Sequence, residues 1–158
     1  MKRRTVALAS VAVLAASAAA IAVVRAQSIA DLPAEMFPYT DAAAVAEGQT
    51  LYEAHCAACH GANLEGEDDW RSPGPDGRLP APPHDETGHT WHHPDAQLFM
   101  ITKYGTEAMV GGNYRSNMIG FEDILTDDEI IAVLAYIKSS WPEQIRVRHT
   151  EMNRARGG

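Results

Sequence analysis

The stretch Cys56-Ala57-Ala58-Cys59-His60 contains both cysteines of this chain of 158 residues. C-x-x-C-H is the spacing at which two thiols can add to the two vinyl groups of a haem, and the adjacent histidine can then supply an axial nitrogen to the iron. Covalent attachment suits a chain whose core is too small to enclose a cofactor securely. The stretch occurs once, so it predicts one covalently attached haem c held by Cys56, Cys59 and His60.

Other interpretations of the two cysteines are weaker. A thioredoxin-like redox pair lies at the end of a strand in an α/β pattern, but the residues before Cys56 have a helical pattern and no alternating strand follows. A structural zinc site needs about four ligands, which histidines from residues 84–93 could complete, so zinc stays open as the lesser alternative. A disulfide between Cys56 and Cys59 would close too short a loop to constrain the unfolded chain.

Residues 1–26 have the features of an export signal. Three basic residues at positions 2–4 precede an apolar, alanine-rich run over residues 6–24, and Val24-Arg25-Ala26 offers small residues where a signal peptidase reads them. The run is also close to the length that spans a bilayer. We therefore expect either a cleaved signal peptide or an N-terminal membrane anchor, and in both cases a periplasmic location for the rest of the chain.

The rest of the chain divides by composition into three parts. Residues 27–40 are predicted to be a linker or N-terminal arm, residues 41–142 a helical domain, and residues 143–158 a basic C-terminal tail that is frayed. Without residues 1–26, the chain has 9 basic and 21 acidic residues and a net charge of −12. This acidic balance argues against nucleic-acid binding. It either steers the protein toward a basic partner or keeps it soluble.

Three helices are predicted in the domain, over about residues 41–55, 94–104 and 126–140. Asp41 can cap the first helix, Pro94 suits the first turn of the second, and Thr126-Asp127-Asp128-Glu129 is a capping box for the third. Apolar residues recur at helical spacing in each of them. Residues 61–90, which are rich in glycine and proline, and residues 106–122 are predicted to be loops.

Residues 43–142 resemble the class I cytochrome c fold, in particular exported bacterial cytochromes of the mono- and dihaem group. The resemblance is carried by the first helix that runs into the C-x-x-C-H stretch, by Asn117-Met118-Ile119-Gly120-Phe121 and by the closing helix. It implies an all-α fold of three main helices and long loops around one covalent haem c. Residues 41–142 would then be the cytochrome c domain.

The resemblance also implies that Met118 is the second axial ligand, opposite His60. A thioether sulfur is a soft, neutral ligand that favours ferrous iron, so His/Met ligation raises the reduction potential and fills both axial positions. The family usually has proline after this methionine, where this chain has Ile119. Met109 is the other candidate in this region, and we expect it to be an ordinary methionine.

Two further contacts follow from the resemblance. Gly48 in the first helix would allow the last helix to cross closely, with Leu134 or Tyr136 at the position of the aromatic partner. The iron-bearing imidazole needs an acceptor for its other ring nitrogen. In the family this acceptor is a carbonyl of a proline-rich loop, here that of Pro80 or Pro82.

The loop of residues 84–93 has four histidines, which a simple electron carrier does not need. We expect them to be solvated, with the last one capping the middle helix. The alternatives are a copper or zinc site, a hydrogen bond to a haem propionate, or a docking contact. The four histidines are His84, His89, His92 and His93.

The sequence therefore predicts an exported monohaem electron carrier with His60/Met118 ligation, and not an enzyme. We expect a monomer whose partners are redox proteins with a basic docking face. The alternative function is a haem-containing metal-handling or sensor protein that binds copper or zinc through residues 84–93.

Overall fold

The computed structural model describes residues 35–156, which form six α-helices, one 3₁₀ turn and no strand. The helices are α1 Ala42–His55, α2 Ala57–His60, α3 Asp95–Tyr104, α4 Thr106–Val110, α5 Asp127–Ser140 and α6 Glu143–Arg156, and the 3₁₀ turn is Thr90–His92. The predicted all-α fold is confirmed. The predicted export signal or anchor of residues 1–26 and residues 27–34 of the arm lie outside the described residues.

None of the described helices combines the length and the apolar character needed to cross a bilayer. Between α2 and α3, residues 61–89 contain turns and bends only, as the glycines and prolines there predict. Residues 106–122 were expected to be a loop throughout, but they begin with the short helix α4.

Helices α1 and α5 cross at Gly48, as predicted. A Cβ atom at Gly48 would clash with the carbonyl oxygen of Ala132 and lie 2.5 Å from its carbonyl carbon. One turn later, the rings of Tyr52 and Tyr136 approach to 5.4 Å between centroids. Tyr136 is therefore the aromatic partner, and Leu134 is a buried core residue.

The ends of these two helices are capped by the side chains that the sequence indicated. Asp41 accepts a hydrogen bond from the backbone N–H of Ala43, at 2.9 Å. At α5, Thr126 and Glu129 form the reciprocal capping box, in which each side chain bonds to the other residue's backbone N–H. Each cap satisfies a backbone donor that a helix leaves free at its first turn.

The expectation of a frayed tail after residue 142 is wrong, because α6 is a helix of 14 residues that packs on the domain. Its fully buried residues are polar: His149 is 1% exposed and Asn153 is 2% exposed. His149 donates from Nε2 to the carbonyl oxygen of His93, at 2.8 Å. The ring of His149 also lies edge-on to Trp141, with centroids 5.0 Å apart. Sequence reasoning missed this helix because its two fully buried residues are polar.

The start of α3 is also built differently from the prediction, which had His93 as the cap. Pro94 is at the N-cap position, and its side chain makes no capping hydrogen bond. The backbone N–H of Asp95 instead donates to the side-chain oxygen of Asn153, at 2.9 Å. The cap therefore comes from another helix 58 positions away.

Residues 35–40 belong to this packing and do not behave as a linker. Phe37 is buried, and the backbone N–H of Met36 donates to the carboxylate of Asp95, at 2.8 Å. The ammonium group of Lys138 lies 3.7 Å from the same carboxylate and 4.9 Å from the ring centroid of Tyr39. A single buried carboxylate thus joins the arm, α3, α5 and α6.

Candidate functional site

The C-x-x-C-H stretch lies at the junction of α1 and α2. Cys56 ends α1, and its carbonyl oxygen accepts from the backbone N–H groups of Cys59, at 3.1 Å, and His60, at 3.0 Å. The hydroxyl of the buried Tyr52 donates to the carbonyl oxygen of Gly61, at 2.9 Å, and so ties the end of the motif back to α1. One helical turn therefore holds two thiols and an imidazole in a fixed relation.

Both cysteines are free, Cys56 partly buried and Cys59 exposed. Burial, together with the neighbouring Cys59, raises the pKa of Cys56 to about 11. Redox-active C-x-x-C pairs have the opposite property, a lowered pKa that exposes a thiolate. The electrostatics of this site therefore disfavour the thioredoxin-like alternative.

The ring of His60 is 7% exposed, and its Nδ1 lies 2.9 Å from the carbonyl oxygen of Pro82. A carbonyl oxygen can only accept a hydrogen bond, so Nδ1 carries the proton and Nε2 carries the lone pair. Burial lowers the pKa of His60, although the Pro82 contact and Glu67 oppose this shift. The lowered pKa favours the neutral imidazole, in which Nε2 is available to a metal. Between the two predicted acceptors, the geometry selects Pro82 over Pro80.

The proline-rich loop is held against the motif by backbone contacts. The N–H of Glu67 donates to the carbonyl oxygen of Ala81, at 2.9 Å, and the N–H of His84 donates to that of Leu64, at 2.8 Å. Gly66, at φ +70°, lies against the loop so closely that a Cβ would be 2.5 Å from the nitrogen of Pro83. These contacts fix the position of the Pro82 carbonyl, and through it the position of Nδ1 of His60.

Met118 lies in a separate loop that is anchored on the end of α3. Its backbone N–H donates to the hydroxyl of Ser116, at 3.0 Å, and the N–H of Ser116 donates to the carboxylate of Glu107, at 2.8 Å. Beyond it, the N–H of Phe121 donates to the carbonyl oxygen of Thr102, at 3.1 Å. The Met118 side chain is half-buried, whereas Met109 is 37% exposed.

An open cavity of about 570 Å³ lies beside Met118. Its lining comes wholly from residues 104–120 and includes Tyr104, Tyr114, Arg115 and Ile119. The C-x-x-C-H residues do not contribute to it. The structure therefore brings Cys56, Cys59 and His60 together on one turn and places Met118 at a cavity in a different loop.

His84 does not have the solvated environment that we expected. Its ring stacks on that of His60, with centroids 4.0 Å apart and planes 22° apart. Its Nδ1 lies 2.8 Å from the hydroxyl of Thr90. Burial and the neighbouring His60 lower the pKa of His84 well below its ordinary value, with a smaller effect from His89. The only feature of the sequence that could have indicated this contact with His60 is the position of His84, two residues after Pro82.

The other three histidines of the loop contact aromatic rings. His89 stacks on Trp70, with centroids 5.2 Å apart, and His93 lies edge-on to His89, at 5.4 Å. The ring of the exposed His92 lies edge-on to Trp91, at 3.8 Å. Over residues 35–156, no three side chains of histidine, cysteine, aspartate or glutamate converge as a metal site would require. The copper or zinc alternative therefore has no supporting geometry in this part of the chain.

The fold and the donor set at α2 are those of a small all-α domain able to hold a covalently attached haem. The family model described as cytochrome c matches residues 45–141, more than half of the chain. The protein therefore belongs to the cytochrome c family, whose members bind haem c covalently and use it to carry electrons. No curated protein and no solved structure matches the chain.

Proposed function

We propose that this protein is an exported monohaem c-type cytochrome that carries single electrons between redox proteins. The observation that carries the proposal is the environment of His60. Its buried, neutral ring is oriented by the carbonyl of Pro82 and presents an Nε2 lone pair, next to two free thiols on the same turn. These are the groups that covalent haem attachment and axial ligation require.

In this proposal the residues have separate tasks. Cys56 and Cys59 would hold the haem through thioether bonds, and His60 and Met118 would ligate its iron. The haem, when bound, supplies an iron that alternates between the ferric and ferrous states. A thioether ligand stabilises the ferrous state and raises the reduction potential. With both ligands bound, the iron would have no open position for a substrate, which favours a carrier over an enzyme.

The proposed location and partners rest on charge and on the N-terminal residues. Basic positions 2–4 followed by the apolar run of residues 6–24 favour export to the periplasm, with either cleavage or retention as an anchor. Residues 27–158 have a net charge of −12. An acidic carrier associates fastest with a partner that presents a basic docking face. We propose a monomer that meets such partners transiently.

The test is expression of the full chain in a host that is competent in cytochrome c maturation. We expect the protein to keep its haem on a denaturing gel, to carry one haem by mass, and to show a near-infrared methionine-to-iron band when oxidised. Replacement of both Cys56 and Cys59 by Ser should abolish the haem-stained band. A colourless protein loaded with zinc would contradict the proposal.

A further inference from the structure

The ring of His84 covers one face of the ring of His60. The two imidazoles are close to parallel, 22° apart, with centroids 4.0 Å apart. The ring of Tyr52 lies edge-on to that of His84, with centroids 6.3 Å apart and planes at 72°. His60 is thus held in two ways, by the Pro82 carbonyl at Nδ1 and by a flat ring against its face.

His84 is itself held firmly, which a residue that only fills space would not need. The hydroxyl of Thr90 lies 2.8 Å from Nδ1 of His84 and 3.4 Å from the carbonyl oxygen of Pro83, so it bonds the imidazole to the loop backbone. The backbone N–H of His84 donates to the carbonyl oxygen of Leu64. Its own carbonyl oxygen accepts from the indole N–H of Trp141, at 2.7 Å.

These contacts restrict both the position of the His84 backbone and the rotation of its side chain. The backbone is bonded on both sides, so the Cα position is fixed. The Thr90 bond then fixes the rotation of the imidazole about its side-chain torsions. The result is a rigid, flat surface set against His60.

The hydrogen bond to Pro82 does not by itself define the plane of the His60 ring. Hydrogen bonds to a carbonyl oxygen tolerate a broad range of directions, so the ring can still rotate about the line through Nδ1 and the carbonyl oxygen. A parallel ring at stacking distance removes that freedom, because rotation would drive the edge of one ring into the face of the other.

We propose that His84 is a positioning residue that fixes the plane of the His60 imidazole about its bond to the haem iron. This inference rests on the proposed function, since it concerns the orientation of an axial ligand. The orientation of that plane decides which iron d orbital overlaps the imidazole π system. Together with the second axial ligand, it would therefore set the electronic anisotropy of the ferric protein. Contacts made by a metal-bound histidine are known to tune a metal in this way.

The experiment compares four variants of the full-length holoprotein. His84→Leu removes the flat ring, and His84→Phe keeps a flat ring without its nitrogens. Thr90→Val keeps the imidazole but removes the hydroxyl that fixes its rotation. His92→Leu is the matched control, because His92 is exposed in the same loop and its ring contacts Trp91. The readouts are the g values of the ferric protein and the spread of its haem-methyl NMR shifts.

We expect His84→Leu to change both the g values and the methyl spread, and Thr90→Val to change them in the same sense but less. His84→Phe keeps a flat ring but also loses the Thr90 bond, so its change should be close to that of Thr90→Val and smaller than that of His84→Leu. His92→Leu should be indistinguishable from wild type. Wild-type patterns in both His84→Leu and Thr90→Val would overturn the proposal. So would an equal change in all four variants, since that would be a general effect of altering the loop.

If His84→Leu does not fold, the test rests on Thr90→Val. Unchanged g values and methyl shifts in Thr90→Val would overturn the proposal. A change in Thr90→Val that is absent from His92→Leu would support it. The proposed function is read separately, from the haem absorption of the wild type. A wild type without haem overturns the carrier function itself. A haem-loaded wild type whose variants do not shift overturns only the role of His84.

Discussion

Asn153 and Asp95 are joined by two hydrogen bonds across 58 positions of sequence. The side-chain amide of Asn153 donates to Oδ1 of Asp95, at 2.7 Å, and its side-chain oxygen accepts from the backbone N–H of Asp95, at 2.9 Å. Both residues are almost fully buried. The same carboxylate lies near the ammonium group of Lys138. Asn153 therefore caps α3 and solvates a buried charge at once.

Replacement of Asn153 by Ala should lower the free energy of unfolding by about 2–3 kcal/mol, because it leaves a buried carboxylate oxygen and a helix N–H without their partner. Denaturant unfolding of the holoprotein measures this loss. The control is Glu151→Ala on the exposed side of the same helix, which should stay within about 0.5 kcal/mol of wild type. Equal stability of the two variants would show that α6 is not a structural part of the domain.

His149 should make the protein less stable in mild acid. Burial, and to a lesser extent Lys138, lower the pKa of His149, while the His93 carbonyl and Asp95 oppose the shift. The folded protein thus keeps this ring neutral where the unfolded chain, with a pKa of about 6.5, already binds a proton. Its contribution to stability is complete above that pH and is lost as the pH falls toward the folded pKa.

His149→Gln keeps an amide N–H for the His93 carbonyl but does not titrate. Below about pH 6.5 its stability should fall less steeply than that of wild type, by up to about 1.4 kcal/mol per pH unit. Unfolding midpoints at several pH values measure the difference. His92→Gln, a change at an exposed ring, should keep the wild-type slope. Identical slopes for wild type and His149→Gln would rule out this source of acid sensitivity.

Gly48→Leu should destabilise the protein by about 3 kcal/mol, the upper end of the usual overpacking range. The side chain would have to displace the backbone of Ala132, which cannot move without moving α5. Ala46→Leu adds a larger side chain to an exposed position of α1 and should be close to neutral. An unchanged unfolding midpoint in Gly48→Leu would mean that the two helices do not cross at this residue.

Met118→Ala should open the sixth coordination position, because no thioether would then compete for the iron. We expect binding of CO by the ferrous protein and a fall in reduction potential on the order of 0.1 V, within the ~0.8 V range that axial ligands span. Potentiometric titration and the CO difference spectrum measure these changes. Met109→Ala is the matched control and should behave as wild type. The reverse pattern would move the ligand assignment to Met109.

Local sequence determined much of this protein. Asp41 and the pair Thr126 and Glu129 cap α1 and α5 through contacts within a few residues, so their roles follow from spacing alone. The turn that holds Cys56 and His60 is likewise local. The recurrence of apolar residues at helical spacing then gave the all-α class. Each of these features depends on neighbours in sequence, which is why reading the chain could find them.

Tertiary structure decided the rest. Pro80 and Pro82 are equivalent in sequence, and only the backbone pairing of the loop with residues 64–67 brings the Pro82 carbonyl to His60. The fully buried residues of helix α6 are polar, so the apolar pattern that reveals a helix is weak in it. Its burial depends on Asp95, a carboxylate on another helix.

The stacking of His84 on His60 also depends on tertiary structure. Histidine in a loop rich in glycine and charge is usually solvated, and no periodicity distinguishes His84 from His89 or His92. The folded chain holds it against His60 because its backbone bonds to Leu64 and Trp141, two contacts between residues far apart in sequence. Sequence determines what the backbone can bond to nearby, and only the folded chain determines which distant groups meet.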